Sequence, residues 1–283
     1  SAPGKDAVDA TLAQMERRGP DGQGSLTEKL GRADLSFLHS RLAIIDLSDR
    51  AAQPFEADEC WLTFNGEIYN YIELRHELAA AGARFRTQSD TEVIIKAYRA
   101  WGVAAFARFE GMFALALADR RSGELLLARD AFGEKPLFYG WDGQGLYFGS
   151  QVKFLHALGL PVSAVDMARM QRFIGNGYRT AYVDDGSFFT GVRQLPAGSY
   201  AVLAGPAEPA GIRYWEHGYR PCEMSLEDAV EGVRERFLTS LELRLRADVP
   251  VALTLSGGVD SNVLAAAAIK HFGRDMHAFS IVE

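Results

Sequence analysis

Cysteine is nearly missing from this 283-residue chain: only Cys60 and Cys222 occur, far apart and in no metal-ligand spacing. That excludes a disulfide framework and a thiolate metal site, and it fits a reducing cytoplasm. No apolar run is long enough to cross a bilayer. Residues 1–6 are small and polar, with no signal-peptide core. A basic excess is absent too. With a net charge of −7 and a pI near 5.5, little is available to neutralise nucleic-acid phosphates, and the short pair Arg17-Arg18 does not change that. Nor is there a Gly-x-x-x-x-Gly-Lys-Ser/Thr segment, which excludes a Walker-type NTPase. What is present, 48% hydrophobic and 24% charged residues, is the composition of a folded globular protein. A soluble cytoplasmic protein of about two domains is expected.

Val8, Leu12 and Met15 recur at helical spacing and predict an opening helix that stops at Gly19-Pro20. Strand-like runs follow at 35–38 and 61–64. A helix is expected from Asn70 to Gly82, with Glu73 in capping-box position. The next starts at Asp90, carries Val93, Ile94, Ala97, Tyr98 and Trp101 on its apolar face, and stops at Gly102. Residues 112–118 and 124–128 read as strands joined by the turn Arg120-Arg121-Ser122-Gly123, and 146–148 as another. Antiparallel strands mixed with helices make an α+β pattern. Residues 204–224, with three prolines and several glycines, mark a boundary between domains of 1–214 and 215–283. Beyond it come an amphipathic helix at 226–246 with Ser225 as N-cap, a strand at 249–255, a glycine loop, a helix at 263–272 and a strand at 276–282. This βαβ unit predicts a parallel sheet. Two parallel strands and one crossover helix cannot cover both faces of a sheet, so only the opening of a larger second domain is expected.

Ser256-Gly257-Gly258-Val259-Asp260-Ser261 sits at the strand-to-helix turn of that unit, where backbone N–H groups and the helix dipole favour an anion. The glycine pair lets backbone approach phosphate oxygens, and the serines add hydroxyl donors. Asp260 beside an anion calls for a cation, so a Mg²⁺ ligand is its expected role. A plain left-handed turn is the alternative reading of the glycines. The hexapeptide resembles the pyrophosphate-binding loop of ATP pyrophosphatases, which cleave ATP to AMP and pyrophosphate while activating a carboxylate as its acyl-adenylate. The resemblance implies ATP as co-substrate and puts Leu255 and Ile281 where that family holds adenosine through backbone contacts.

Four pieces of the first domain are Arg18-Gly19-Pro20-Asp21, Ser40-Arg41-Leu42-Ala43-Ile44-Ile45-Asp46, Asn65-Gly66-Glu67-Ile68-Tyr69-Asn70 and Ser89-Asp90-Thr91-Glu92. In order and spacing they resemble the class II, N-terminal-nucleophile glutamine amidotransferases, in their asparagine synthetase branch. Gln53-Pro54-Phe55 and Arg129-Asp130 through Gly133-Glu134-Lys135-Pro136-Leu137 agree. The fold this implies is α+β of the N-terminal-nucleophile hydrolase type, stacked antiparallel sheets between helices, followed by the start of an α/β parallel-sheet domain.

A glutamine site must address an α-carboxylate, an α-ammonium and a side-chain amide. Arg41 suits the carboxylate as a planar fork, and Glu67 and Asp90 supply anions for the ammonium. By the resemblance Ile44 joins the glutamine contacts, while the Asn65 side chain and the Gly66 N–H receive the oxyanion built on the attacked amide. Each residue has a plainer reading. Arg41 and Asp90 could be surface ion-pair partners, Asp90 a helix cap, and Asn65-Gly66 a hairpin turn. The motifs around Asp21 and Lys135 read as structural loops rather than catalytic groups.

The resemblance breaks at the nucleophile. The family attacks with a cysteine at its N-terminus, whereas this chain opens Ser1-Ala2-Pro3-Gly4. Cys60 and Cys222 supply no free α-amino group and read as inert. An N-terminal serine is a chemically possible nucleophile. The opening helix, however, leaves no room for the strand that would present it, so Ser1 reads as a truncation point. The chain is expected to be a fragment lacking its first strand and most of its second domain, and to complete neither half-reaction alone. Arg17 stands where the family often has histidine. The implied parent activity is glutamine hydrolysis that supplies ammonia to an ATP-activated carboxylate, aspartate first, yielding asparagine; a homodimer is implied by resemblance only. Three alternatives stay open: a β-lactam synthetase-like enzyme with a dead glutaminase domain, an amidotransferase for a sugar, peptide or antibiotic-precursor carboxylate, and a non-catalytic glutamine-binding module. The intact Arg41, Asn65-Gly66-Glu67 and Asp90 set argues against the first, and the 256–261 loop against the last.

Overall fold

The computed structural model describes residues 2–162, 164–178, 184–205 and 207–281. Ser1, read as a truncation point, and Val282, the expected end of the last strand, lie outside them. The chain divides into two compact units, Ser1–Ala43 with Ser48–Glu216, and Ile44–Leu47 with His217–Glu283.

The first unit opens with α1 (Lys5–Met15), followed by β1 (Gly22–Leu30) and β2 (Ala33–Arg41), which pair antiparallel from Gly22 opposite Arg41 to Leu30 opposite Ala33. Next come β3 (Phe55–Ala57), β4 (Cys60–Ile68), α2 (Tyr71–Ala80), α3 (Asp90–Trp101), β5 (Gly111–Asp119) and β6 (Glu124–Arg129). After them run β7 (Phe138–Trp141), β8 (Leu146–Gly149), α4 (Val152–Ala157), α5 (Met167–Asn176), β9 (Val192–Gln194), β10 (Ser199–Leu203) and β11 (Ile212–Arg213). Six strands form one antiparallel sheet in the order β11-β10-β6-β5-β4-β3. β1 and β2 form a second sheet, and β8-β7-β9 a third.

The central sheet is buried on both faces, and β5 shows how. Phe113, Leu115 and Leu117 pack with Val93, Ile94, Leu74 and Leu78 of the two long helices. The alternate residues Ala114, Ala116 and Ala118 face Leu35, Phe37, Leu137 and Leu195. Period-2 alternation sends successive side chains to opposite faces, and small alanines on one face let the smaller sheets approach. Phe37 and Phe148 meet edge to face with ring centroids 6.1 Å apart. Among the described residues β2 pairs only with β1, and β8 only with β7. A cavity of 340 Å³ is lined by Leu35 and Ser36 of β2 and by Leu146, Tyr147 and Phe148 of β8.

In the second unit Ser225 caps α6 (Leu226–Arg244), its Oγ accepting from Asp228 N at 3.1 Å, as expected. β12 (Ala252–Thr254), α7 (Val259–Lys270) and β13 (His277–Phe279) form the βαβ unit, with the strands parallel. Leu241, Leu245, Ala267 and Ala268 make its core. Ile44–Leu47 joins this unit: Asp46 N donates to Asp248 Oδ2 at 2.7 Å, and Asp248 N to Ile44 O at 2.9 Å. Among the described residues no helix is long and apolar enough to cross a membrane.

Two local expectations and two of the plainer readings need correction. Asn70 makes no side-chain cap on α2; instead it bridges two loop groups, donating to Arg108 O at 2.9 Å and accepting from Glu110 N at 3.0 Å. Helix α3 is capped by Ser89, whose Oγ accepts from Thr91 N, so Asp90 is its first residue and not its cap. Asn65-Gly66 is no hairpin turn, because it lies inside β4 opposite Ala114 and Phe113. α7 begins at Val259 and not at 263, since Gly258 already occupies the N-cap position.

Candidate functional site

The arginine of the expected glutamine site is fixed by backbone contacts around it. Asp21 N donates to Arg41 O at 3.0 Å, and Ala43 N to Asp21 Oδ2 at 2.9 Å. A Cβ on Gly19 would stand 2.2 Å from Ser40 O, so only glycine lets the two segments meet. Arg18-Gly19-Pro20-Asp21 is therefore a clamp on the end of β2. The Arg41 guanidinium donates to Ser48 O at 2.8 Å.

β4 delivers three consecutive expected residues. The Asn65 amide donates to Ser150 Oγ at 3.1 Å. Gly66 lies so close to β5 that a Cβ would stand 2.0 Å from Met112 O. Glu67 is only 8% exposed, and its buried Oε2 has no hydrogen-bond partner among the described residues. Asp90, 4% exposed, accepts from Ile68 N at 2.9 Å and from Ser89 Oγ at 3.2 Å, so it is no surface ion-pair partner. Burial drives both carboxyls above their ordinary range, and the negative Asp90 adds to the rise at Glu67. Lys135 and Arg41 oppose that rise at Glu67, which places both cations within electrostatic reach of it.

Arg41, Asn65, Gly66, Glu67 and Asp90 are thus brought together in the first unit. Ile44 is assigned to the second unit, where its O accepts from Asp248 N at 2.9 Å. Sequence reading passed over three participants. Lys135 sits in a loop held by Asp130, whose carboxylate accepts from the backbone N–H of Phe113, Phe132, Glu134 and Lys135. Arg129 donates to Gly133 O, Lys135 O and Leu195 O and fixes the same loop. So the loop is structural, as expected, yet it carries a cation to Glu67. Ser150 gave no signal. His39 is the third, its Nε2 lying 3.2 Å from Phe64 O. The cluster offers a cation for a carboxylate, two buried carboxyls that an ammonium would hold in ionised form, and donors beside them.

Neither cysteine takes part. Cys60 is fully buried in β4, and burial pushes its thiol up to about 12; Cys222 is exposed in the second unit.

In the second unit the 256–261 loop is open and lined by hydroxyls. Ser256 Oγ lies 3.2 Å from Ser261 Oγ, and Ser261 Oγ donates to Gly258 O at 3.1 Å. Gly257 has φ +78°, which favours glycine, while a Cβ on Gly258 would meet only Ser256 Oγ, at 3.4 Å. Asp260 and Ser261 lie in the first turn of α7. Leu255 N donates to Phe279 O at 2.8 Å, and Ser280 Oγ to Leu255 O at 2.8 Å; Ile281 is 95% exposed. Leu255 and Ile281 therefore sit at the carboxyl ends of parallel strands, where α/β sheets bind ligands. Among the described residues no group of three or more His, Cys, Asp or Glu side chains stands together as a metal site.

A family model described as a glutamine amidotransferase domain matches residues 1–215, and one described as asparagine synthase matches residues 232–282. Asparagine synthetase [glutamine-hydrolyzing] 1 of Bacillus subtilis is 33% identical over 266 residues, covering 93% of this chain and 40% of the relative. A putative asparagine synthetase [glutamine-hydrolyzing] of Mycobacterium tuberculosis is 35% identical over 291 residues, covering 95% and 44%. The chain thus spans less than half the length of these relatives. Among solved structures, the glutamine phosphoribosylpyrophosphate amidotransferase of B. subtilis matches with a TM-score of 0.55 at 16% identity, over 98% of this chain and 64% of that one. The fold is that of the N-terminal-nucleophile amidotransferases, antiparallel sheets with helices, followed by a small parallel sheet.

Proposed function

Because the chain belongs to the glutamine amidotransferase domain family, we propose that its first unit holds the glutamine-hydrolysing site of an asparagine synthetase-type enzyme. The observation that carries this is the buried Glu67–Asp90 pair, held at raised proton affinity beside Asn65 and Gly66, with Glu67 Oε2 unpartnered among the described residues. An α-ammonium placed there would satisfy that oxygen and stabilise both carboxylates in ionised form. Arg41 would clamp the α-carboxylate bidentately. The Asn65 amide and Gly66 N–H would then receive the oxyanion formed when the side-chain amide is attacked. Ile44 enters this account only as a glutamine contact that the resemblance implies.

The attacking thiol in this reading is an N-terminal cysteine presented by a first strand. The edges of β2 and β8 that are unpaired among the described residues, with the cavity that both strands line, would take one such strand. We assign residues 1–214 to the glutaminase domain and 215–283 to a linker and the opening of the synthetase domain.

The 256–261 loop fits a nucleotide: it has an open backbone, two hydroxyls and the N-terminus of α7. Ser256, Gly257, Gly258 and Ser261 would hold pyrophosphate oxygens, Asp260 a Mg²⁺ shared with them, and Leu255 and Ile281 the adenosine. ATP would activate an acceptor carboxylate, aspartate in first place, as an acyl-adenylate that ammonia then attacks. Internal delivery matters because free ammonia at neutral pH is protonated and loses its lone pair. The parent enzyme is proposed to work in the cytoplasm and to form a homodimer.

The test is the natural full-length product, with its N-terminal residue read by mass spectrometry and its glutamate release from glutamine measured. An N-terminal cysteine with glutamate release supports the reading. A product that leaves glutamine untouched overturns it, and glutamine-independent ATP chemistry then takes first place.

A further inference from the structure

One edge of β4 changes partner along its length. Cys60 and Leu62 face Ala57 and Phe55 of β3, and β3 ends there. From Phe64 onward side chains replace the missing strand. Phe64 N donates to Gln53 Oε1 at 2.7 Å, and Phe64 O faces His39 Nε2 at 3.2 Å. Ile68 N donates to Asp90 Oδ2 at 2.9 Å. In a strand every second residue turns its N–H to the same edge. Gly66, midway between Phe64 and Ile68, therefore turns its N–H to this edge, with its two neighbours already held. Phe113, opposite Gly66 on β5, exchanges its backbone groups with Asp130 instead.

From this geometry we infer that His39 and Gln53 are positioning residues for the oxyanion site: they pin both polar groups of Phe64 so that the Gly66 N–H stays open and aimed. The inference rests on the glutaminase reading above. A carbonyl only accepts, so Nε2 of His39 must carry the hydrogen. Burial, then the nearby Arg41 charge, lowers the His39 pKa to about 4, which keeps the ring neutral in that single tautomer at physiological pH. Gln53 is held in turn by α3, its Nε2 lying 3.5 Å from Thr91 Oγ1. The Phe64 peptide is thereby tied to the helix whose first residue is Asp90, so the oxyanion donor and the ammonium anion share one support.

Two measurements test this. In the natural full-length enzyme, His39→Leu should lower kcat for glutamate release about tenfold with KM for glutamine nearly unchanged, because the oxyanion forms only in the transition state. His39→Gln keeps a donor at the Nε2 position and should recover most of that loss. Equal losses in both variants, or a change in KM alone, would overturn the proposal. Amide hydrogen exchange by NMR on the present chain supplies the second readout. Phe64 and Ile68 amides should be protected and Gly66 should exchange readily; Gln53→Ala should speed Phe64 exchange at least tenfold and move the Gly66 resonance. A Phe64 amide that exchanges at the same rate in Gln53→Ala sinks the positioning role. If the full-length wild type releases no glutamate, the glutaminase reading falls, and the exchange data still decide whether the clamp exists.

Discussion

The two candidate sites are built on opposite principles. Around Glu67 and Asp90 the protein removes carboxyls from water, so ionising them is unfavourable unless a bound ammonium, as proposed, relieves it. At 256–261 nothing is desolvated. Exposed backbone, two hydroxyls and a helix N-terminus wait for an anion. The first site depends on packing around it, and the second on local backbone conformation. Their tolerance to substitution should differ accordingly.

Glycine offers the sharpest contrast. Gly66→Ala drives a methyl against Met112 O at 2.0 Å, so it should cost about 3 kcal/mol of stability. By displacing the proposed oxyanion donor it should also lower glutamine turnover roughly a hundredfold or more. Gly258→Ala sits at φ −76° and ψ 162°, with its nearest neighbour at 3.4 Å, so stability should stay within about 1 kcal/mol. Urea titrations of the two variants check this directly. Equal destabilisation would erase the distinction.

A smaller effect concerns pH. The Glu67 carboxyl holds its proton more tightly in the folded chain than its ordinary value of 4.5 allows. The folded state therefore binds more protons than the unfolded state above that value, and stability falls as pH rises from 4.5 toward the folded pKa. Glu67→Gln should remove the part of this decline above about pH 6, leaving the smaller part that Asp90 contributes below it, and saturating glutamine should reduce the decline in the wild type. Urea midpoints measured from pH 5 upward decide; a wild-type midpoint that rises across that range contradicts the picture of a desolvated anion.

The smallest effect is in thiol chemistry. Cys222 should react with a maleimide in the native chain, and Cys60 only after denaturation, since burial raises its thiol pKa to about 12. Rapid native labelling of Cys60 would reopen it as a nucleophile.

How much of this was legible depended on where the partner atoms lie in the chain. The strand at 112–118 was read to within a residue at each end, because β5 is buried on both faces and its sequence is continuously apolar. β1 was missed: Gly22–Leu30 is rich in Gly, Gln, Ser, Thr, Glu and Lys, and it buries only Leu30 fully. The three-residue strand β9 pairs with β7, more than fifty residues earlier in the chain, which local pattern does not reveal. Asn65, Gly66, Glu67 and Asp90 stood out because the chemistry needs those residue types. His39 did not, and Gln53 stood only within the Gln53-Pro54-Phe55 match with no role, since each acts on a backbone group of Phe64, 25 and 11 residues away. The start of α7 was misplaced because Gly258, taken for loop interior, is the cap itself.

The central claim is that Arg41 holds the substrate while Asn65 serves the transition state. Steady-state glutamate release by the natural full-length enzyme tests it, with Arg41→Lys compared against Asn65→Ala. Arg41→Lys should raise KM for glutamine with kcat little changed, and Asn65→Ala should lower kcat by about 10²–10³ with KM little changed. Wild-type turnover that survives both substitutions would show that glutamine is processed elsewhere.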